Sequence, residues 1–179
     1  GVNTYLKGAV RSVERYGEGF NLLVKNKVHY YDFVVIATGG SPQMKGFDWL
    51  VYLGHEIEEP VPSLFTFNTA EKNITELSGI SVNQVLGRIQ GTALKLSGPL
   101  LITHWGLSGP AILKLSAWGA RILNEKGYHF NLQLNWLGEP HEKKVRETVD
   151  AYLQQNTKKN LYNANPFSLP RRLWLYLLQ

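Results

Sequence analysis

Leu101-Ile-Thr-His-Trp-Gly-Leu-Ser-Gly-Pro110 is the stretch on which the reading of this chain turns. An apolar run ends in a polar, glycine-rich loop, and Pro110 then opens a helical pattern. Proline suits a first helical position, where the N–H it lacks would have no partner. Strand, loop and helix start within so short a window gather backbone N–H groups at a helix N-terminus. Such a terminus carries a partial positive charge and attracts anionic or electron-rich groups. His104 and Ser108 lie in the loop, so a ring able to exchange protons near neutral pH stands among hydroxyl and amide donors. On these residues alone two accounts are open. The loop is a reactive site, or it is a cap in which Ser108 closes the helix and His104 is a hydrogen-bonded core residue.

A second stretch, Tyr31-Asp-Phe-Val-Val-Ile-Ala-Thr-Gly-Gly40, reads as a strand that is apolar on both faces and ends in two glycines. That pattern marks a central strand covered on both sides. Glycines at its tip let the backbone approach a bound cofactor, and Thr38 adds a hydroxyl. The alternative is that Gly39 and Gly40 merely turn the chain. The Gly-x-Gly-x-x-Gly turn that opens a dinucleotide fold is missing from the sequence.

The surrounding pattern is mixed. Tyr5–Val13, Gly19–Val24 and His29–Ala37 read as strands, and Phe47–Leu53 as a short helix closed by Gly54. Pro60 and Pro62 mark a boundary. Beyond it Ser63–Asn68, Ile80–Ile89, Thr92–Ser97 and Leu100–His104 are strand candidates, with turns at Gly79, Gln90-Gly91 and Ser97-Gly98. Pro110–Lys126 reads as one helix followed by Gly127, and Tyr128–Leu137 as a further strand. Lys143–Gln155 and Pro170–Gln179 are helical. The fold class is therefore α+β, divided into 1–59, a β-rich 60–139 and a helical 140–179. Trp118 and Trp136 fall on patterned positions and read as core. The apolar helical pattern still running at Gln179 leads to the expectation of a fragment of a longer protein.

Hydrophobic residues make up 44% and charged residues 18% of the 179, the balance of an ordered globular chain. No apolar run approaches the roughly 18–20 residues needed to cross a bilayer, so no membrane association is expected. The absence of cysteine removes disulfides, thiol catalysis and thiolate metal sites. It fits a reducing, cytoplasmic setting. His29, His55, His129 and His141 have no metal-ligand spacing, so no metal is expected. The net charge of +5 is uneven: residues 140–179 hold seven basic and three acidic side chains, a surplus of +4. Such a basic helical end is either a solvated face or a contact for nucleic acid or a protein partner. Without a base-reading motif, nucleic acid is the less favoured of these readings.

Taken in order, Tyr31–Ser41, Leu53-Gly-His55, Pro62-Ser-Leu64 and Gly98-Pro-Leu-Leu-Ile-Thr-His-Trp-Gly-Leu-Ser-Gly-Pro-Ala-Ile-Leu-Lys-Leu-Ser116 resemble the BaiN-like (YhiN-like) FAD-dependent flavoproteins, oxidoreductases described as NAD(P)/FAD-dependent. The resemblance implies the last strands of a Rossmann-like FAD-binding domain, followed by a β-barrel-like insert with a small helical subdomain. It departs from the family pattern at Ser41–Trp49, where members carry a longer glycine-rich stretch. It further implies that Thr38, Gly39 and Gly40 lie against FAD, and that His104–Pro110 roof the flavin. His104 and Ser108 would then be catalytic, and Trp105, Gly106 and Gly109 would contact a small-molecule substrate, with NAD(P)H as a candidate electron donor. The partners implied are the remaining FAD-binding segments of the same polypeptide. Without those segments, the chain itself is expected to hold no FAD and to be inactive.

Overall fold

The computed structural model describes residues 2–138, 141–156 and 160–179. It divides into two compact units, Gly1–Val61 and Pro62–Gln179.

The first unit is built on an antiparallel meander of β1 (Val10–Tyr16), β2 (Gly19–Val24) and β3 (Lys27–Tyr31). Lys25 and Asn26 both take positive φ at the β2–β3 turn. That turn geometry matches the right-handed twist of the strands it joins. Arg11 steadies the turn by donating from Nη1 to Asn26 Oδ1 at 2.9 Å. The strand expected to run to Ala37 stops at Tyr31. Residues 33–37 are not in a strand, and Phe33 and Val35 are 88% and 92% exposed. A central strand needs a ladder on both edges and cover on both faces. The described residues of this unit supply neither. A 3-10 turn (Met44–Phe47) then leads into α1 (Asp48–Tyr52), which ends at Gly54 with φ +91°.

The second unit mixes helices with a curled, half-barrel sheet. Its strands are β4 (Phe67–Asn68), β5 (Ser81–Ile89), β6 (Lys95–Thr103), β7 (Gly106–Ser108) and β8 (Leu132–Asn135), in the order β4-β7-β6-β5-β8 and antiparallel throughout. The helices are α2 (Lys72–Thr75), α3 (Pro110–Trp118), α4 (Ala120–Glu125), α5 (Glu142–Gln155) and α6 (Arg171–Leu177). Alternation along β5 and β6 sends Val82, Val85, Ile89, Leu100 and Ile102 into the core. There they meet Ile112 and Leu115 of α3, Leu123 of α4 and Leu173 of α6. The helical C-terminal residues thus share one core with the sheet. Arg172 of α6 also donates to the Glu76 carbonyl after α2.

Three features depart from the sequence reading. Trp118, read as core, is 72% exposed near the end of α3. Ser97-Gly98 does not turn; β6 runs straight through it. The register passes from Val82↔Leu100 to Val85↔Gly98, so Asn83 and Gln84 together oppose Pro99. A β-bulge is where a strand tolerates a residue without an N–H. The expected single helix over Pro110–Lys126 is two helices joined at Gly119. A Cβ on Gly119 would lie 2.8 Å from both the Leu115 carbonyl oxygen and Leu94 Cδ1. The helix breaks where it presses closest on its neighbours.

Candidate functional site

Between Thr103 and Gly106, which pair directly, His104 and Trp105 form a two-residue hairpin turn at the end of β6 and β7. Both side chains are exposed. Their rings meet edge to face, with centroids 4.1 Å apart and planes at 76°. The turn is anchored below. Thr103 donates from Oγ1 to the Gly106 carbonyl at 3.1 Å, and the Trp105 carbonyl accepts from Thr69 N–H at 3.1 Å. His104 has no hydrogen bond among the described residues, so its ring nitrogens are free for a ligand.

Ser108 stands two pairings back from the turn, opposite Leu101. Its neighbour Leu107 is buried against Ile102, so alternation puts Ser108 on the sheet face away from the core. It does not cap α3: Gly109 occupies the cap position, and no side chain bonds there. The loop expected from His104 to Gly109 is thus a tight turn plus a strand. His104 is joined to Trp105, while Ser108 belongs with Gly109 and Pro110.

The two glycines have packing reasons to be glycine. Gly106 takes φ +153°, and a Cβ there would lie 2.1 Å from the Phe67 carbonyl oxygen. Gly109 takes φ +96°, and its Cβ would lie 2.9 Å from the Pro99 carbonyl oxygen. Both let β7 and the start of α3 cross neighbouring backbone closely.

Within the first unit, Thr38, Gly39 and Gly40 line a cavity of about 600 Å3 with Val13, Ile36 and Trp49. Gly39 takes φ +80°, and a Cβ on Gly39 or Gly40 would meet nothing within 4 Å. The backbone at Gly40 is open among the described residues, so a flat group such as a flavin ring has room to lie on it.

A third place was not legible in the sequence. Asn83 and Gln84 of the β5 bulge, Trp136, Lys144 and the segment Phe167–Pro170 surround a cavity of about 430 Å3 within the second unit. Pro99 inside a strand pattern was the available signal for the bulge. Among the described residues no cluster of three or more metal-ligating side chains occurs, and no helix is long and apolar enough to cross a membrane.

A half-barrel sheet that shares its core with C-terminal helices and carries an aromatic tip on its β6–β7 hairpin is the architecture of a barrel-type domain. Residues 61–179 match the family described as the HI0933-like protein barrel and H2TH domain, and the chain belongs to that family, which is associated with FAD-dependent oxidoreductases. It is also similar to the ribosomal RNA dihydrouridine synthase of Haemophilus influenzae, with 32% identity over 130 residues. That alignment covers 65% of this chain and 31% of the relative, so the chain spans less than a third of the relative's length.

Proposed function

We propose that this chain is the insert-bearing part of an FAD-dependent oxidoreductase whose substrate is a pyrimidine base in RNA. Residues 1–59 are the end of its first flavin-binding segment. The family match over 61–179 carries the flavoenzyme reading, and the bare backbone at Gly39 and Gly40 supports it. The RNA substrate class is drawn from the relative's name. When bound, FAD supplies two-electron redox chemistry; the protein binds, orients and protonates.

Thr38, Gly39 and Gly40 hold the cofactor, as they line a cavity of the first unit with open backbone at both glycines. His104 is the proton carrier: its imidazole is exposed at the hairpin tip, unbonded among the described residues, and braced by the Trp105 ring. Trp105 presents an aromatic face on which a base can stack. Gly106 and Gly109 act by shaping the backbone that holds this tip, and Ser108 by lining the outer sheet face beside the α3 N-terminus. NAD(P)H remains the candidate electron donor. The test is whether the intact parent polypeptide carries FAD that a hydride donor bleaches and the RNA substrate restores; a parent without flavin overturns the proposal.

A further inference from the structure

We propose that the cavity between the β5 bulge and the start of α5 binds one unstacked nucleotide of single-stranded RNA. The inference rests on the RNA-substrate reading above and concerns a different place on the molecule from the His104 tip. Two backbone irregularities face this one cavity. Asn83 and Gln84 are the bulged residues of β5, and bulges are enriched beside functional sites, where they re-aim side chains. Ser168, which also lines the cavity, takes φ +54°, a strained conformation for a residue with a side chain.

That strained wall is built in place. The Asn165 side chain accepts from the N–H groups of Phe167 at 3.3 Å and Leu169 at 3.2 Å, and donates to the Leu169 carbonyl. One amide thus fixes the loop before α6 in a single shape. Strain held by a dedicated brace, at the rim of a cavity, is the kind that persists where a ligand is met.

The lining has the chemistry of nucleotide recognition. Trp136 and Phe167 are half-buried aromatics on which a base can stack. The Asn83 and Gln84 amides offer both donors and acceptors to a base edge, and neither is spent in a hydrogen bond among the described residues. Lys144 lies in the first turn of α5. Its neighbours Lys143 and Arg146 form exposed pairs with Glu147 at 3.9 Å and Glu142 at 3.3 Å and do not line the cavity, whereas Lys144 lines it and has no ion pair among the described residues. An unpaired ammonium beside a helix N-terminus suits a phosphate. At about 430 Å3 the cavity is within the roughly 300–1,000 Å3 range of small-ligand sites, enough for one nucleotide and not for a helix.

The same chemistry would take a free nucleoside monophosphate, so the experiment separates the two sources. Fluorescence anisotropy of a labelled single-stranded oligouridylate is followed with this chain at several salt concentrations, with thermal melts confirming that each variant is folded. Lys144→Gln is expected to weaken binding about five- to tenfold and to flatten the log–log salt slope by about 0.7, the value for one phosphate on a single strand. Lys143→Gln stays within about twofold, because Lys143 does not line the cavity. Phe167→Leu, which keeps most of the volume, weakens binding about fivefold or more through lost stacking.

Equal loss in Lys143→Gln and Lys144→Gln overturns the site, since only overall charge would then matter. So does undetectable binding, or equal affinity for duplex RNA. Uridine monophosphate that displaces the oligonucleotide as well as unlabelled oligonucleotide does, on a per-nucleotide basis, assigns the cavity to a free nucleotide and overturns the RNA source. The RNA-substrate reading fails instead if RNA does not restore the donor-reduced flavin of the intact parent, and the flavoenzyme reading fails on flavin content, so the failures are distinguishable.

Discussion

Replacing Gly106 by alanine should unfold the edge of the barrel rather than merely alter a substrate contact. Gly106 sits at φ +153°, and the added Cβ would fall 2.1 Å from the Phe67 carbonyl oxygen and 2.9 Å from Asn68 Cα. Both clashes are with backbone, so no side chain can swing aside. Strand β4 has to move, and it is held by only two pairings, Phe67↔Leu107 and Asn68↔Gly106. Phe67 is 5% exposed and packs edge-on to Phe130 at 4.8 Å, so displacing it opens the core.

The backbone conformation alone costs an L-residue about 1–3 kcal/mol, and a fully buried phenylalanine contributes about 1.5–3 kcal/mol. Partial loss of the second makes a total of about 3–4 kcal/mol. For a domain of this size that lowers the thermal midpoint by roughly 10–15 °C. Thermal denaturation followed by circular dichroism measures it, with Trp105→Ala as the comparison. Trp105 is next in sequence but exposed, so its loss should cost about 0.5 kcal/mol or less. If Gly106→Ala melts with the wild type, the close crossing of β4 and β7 is wrong and Gly106 has no structural reason to be glycine.

Other outcomes follow from single contacts. Ser116 is fully buried; its Oγ accepts from Phe65 N–H at 2.9 Å and donates to the Leu113 carbonyl at 2.8 Å. Ser116→Ala leaves the Phe65 N–H without its partner and should cost about 1–3 kcal/mol in urea unfolding; an unchanged midpoint would show that water replaces the hydroxyl. In the parent polypeptide, His104→Ala should slow substrate-dependent flavin turnover by about 10²- to 10⁴-fold, the usual contribution of a general acid, with FAD content unchanged. Wild-type turnover in that variant would remove His104 from the chemistry.

Much of the second unit was legible because its pattern and its chemistry agree. Strand β5 alternates over Ser81–Ile89, α5 shows helical spacing, and Gly127, at φ +58°, ends α4 as a glycine should. The failures share one cause: a local signal was outweighed by a partner distant in sequence. Ser97-Gly98-Pro99 looks like a turn until β5 supplies two residues opposite Pro99. Gly119 looks like an ordinary helix position until Leu94 comes within 2.8 Å of where its Cβ would be. Residues 33–37 look like a central strand, yet a strand needs neighbours to be one, and none of the described strands pairs with them.

The site divides in the same way. His104 and Trp105 stood out as residue types, but their grouping at a hairpin tip depends on the Thr103↔Gly106 pairing, which a glycine-rich segment does not announce. Beyond Pro99 as a sign of the bulge, Asn83, Gln84, Lys144 and Ser168 gave no signal, because segments remote in the chain bring them to one cavity.

The account depends most on whether chain segments beyond these residues complete a flavin site with the Gly39–Gly40 backbone. Purifying the intact parent polypeptide and recording its visible absorption, with the released cofactor identified by mass, answers this directly. One FAD per polypeptide, bleached by a hydride donor and restored on turnover, is the predicted result; a colourless parent that takes up no added FAD would contradict it.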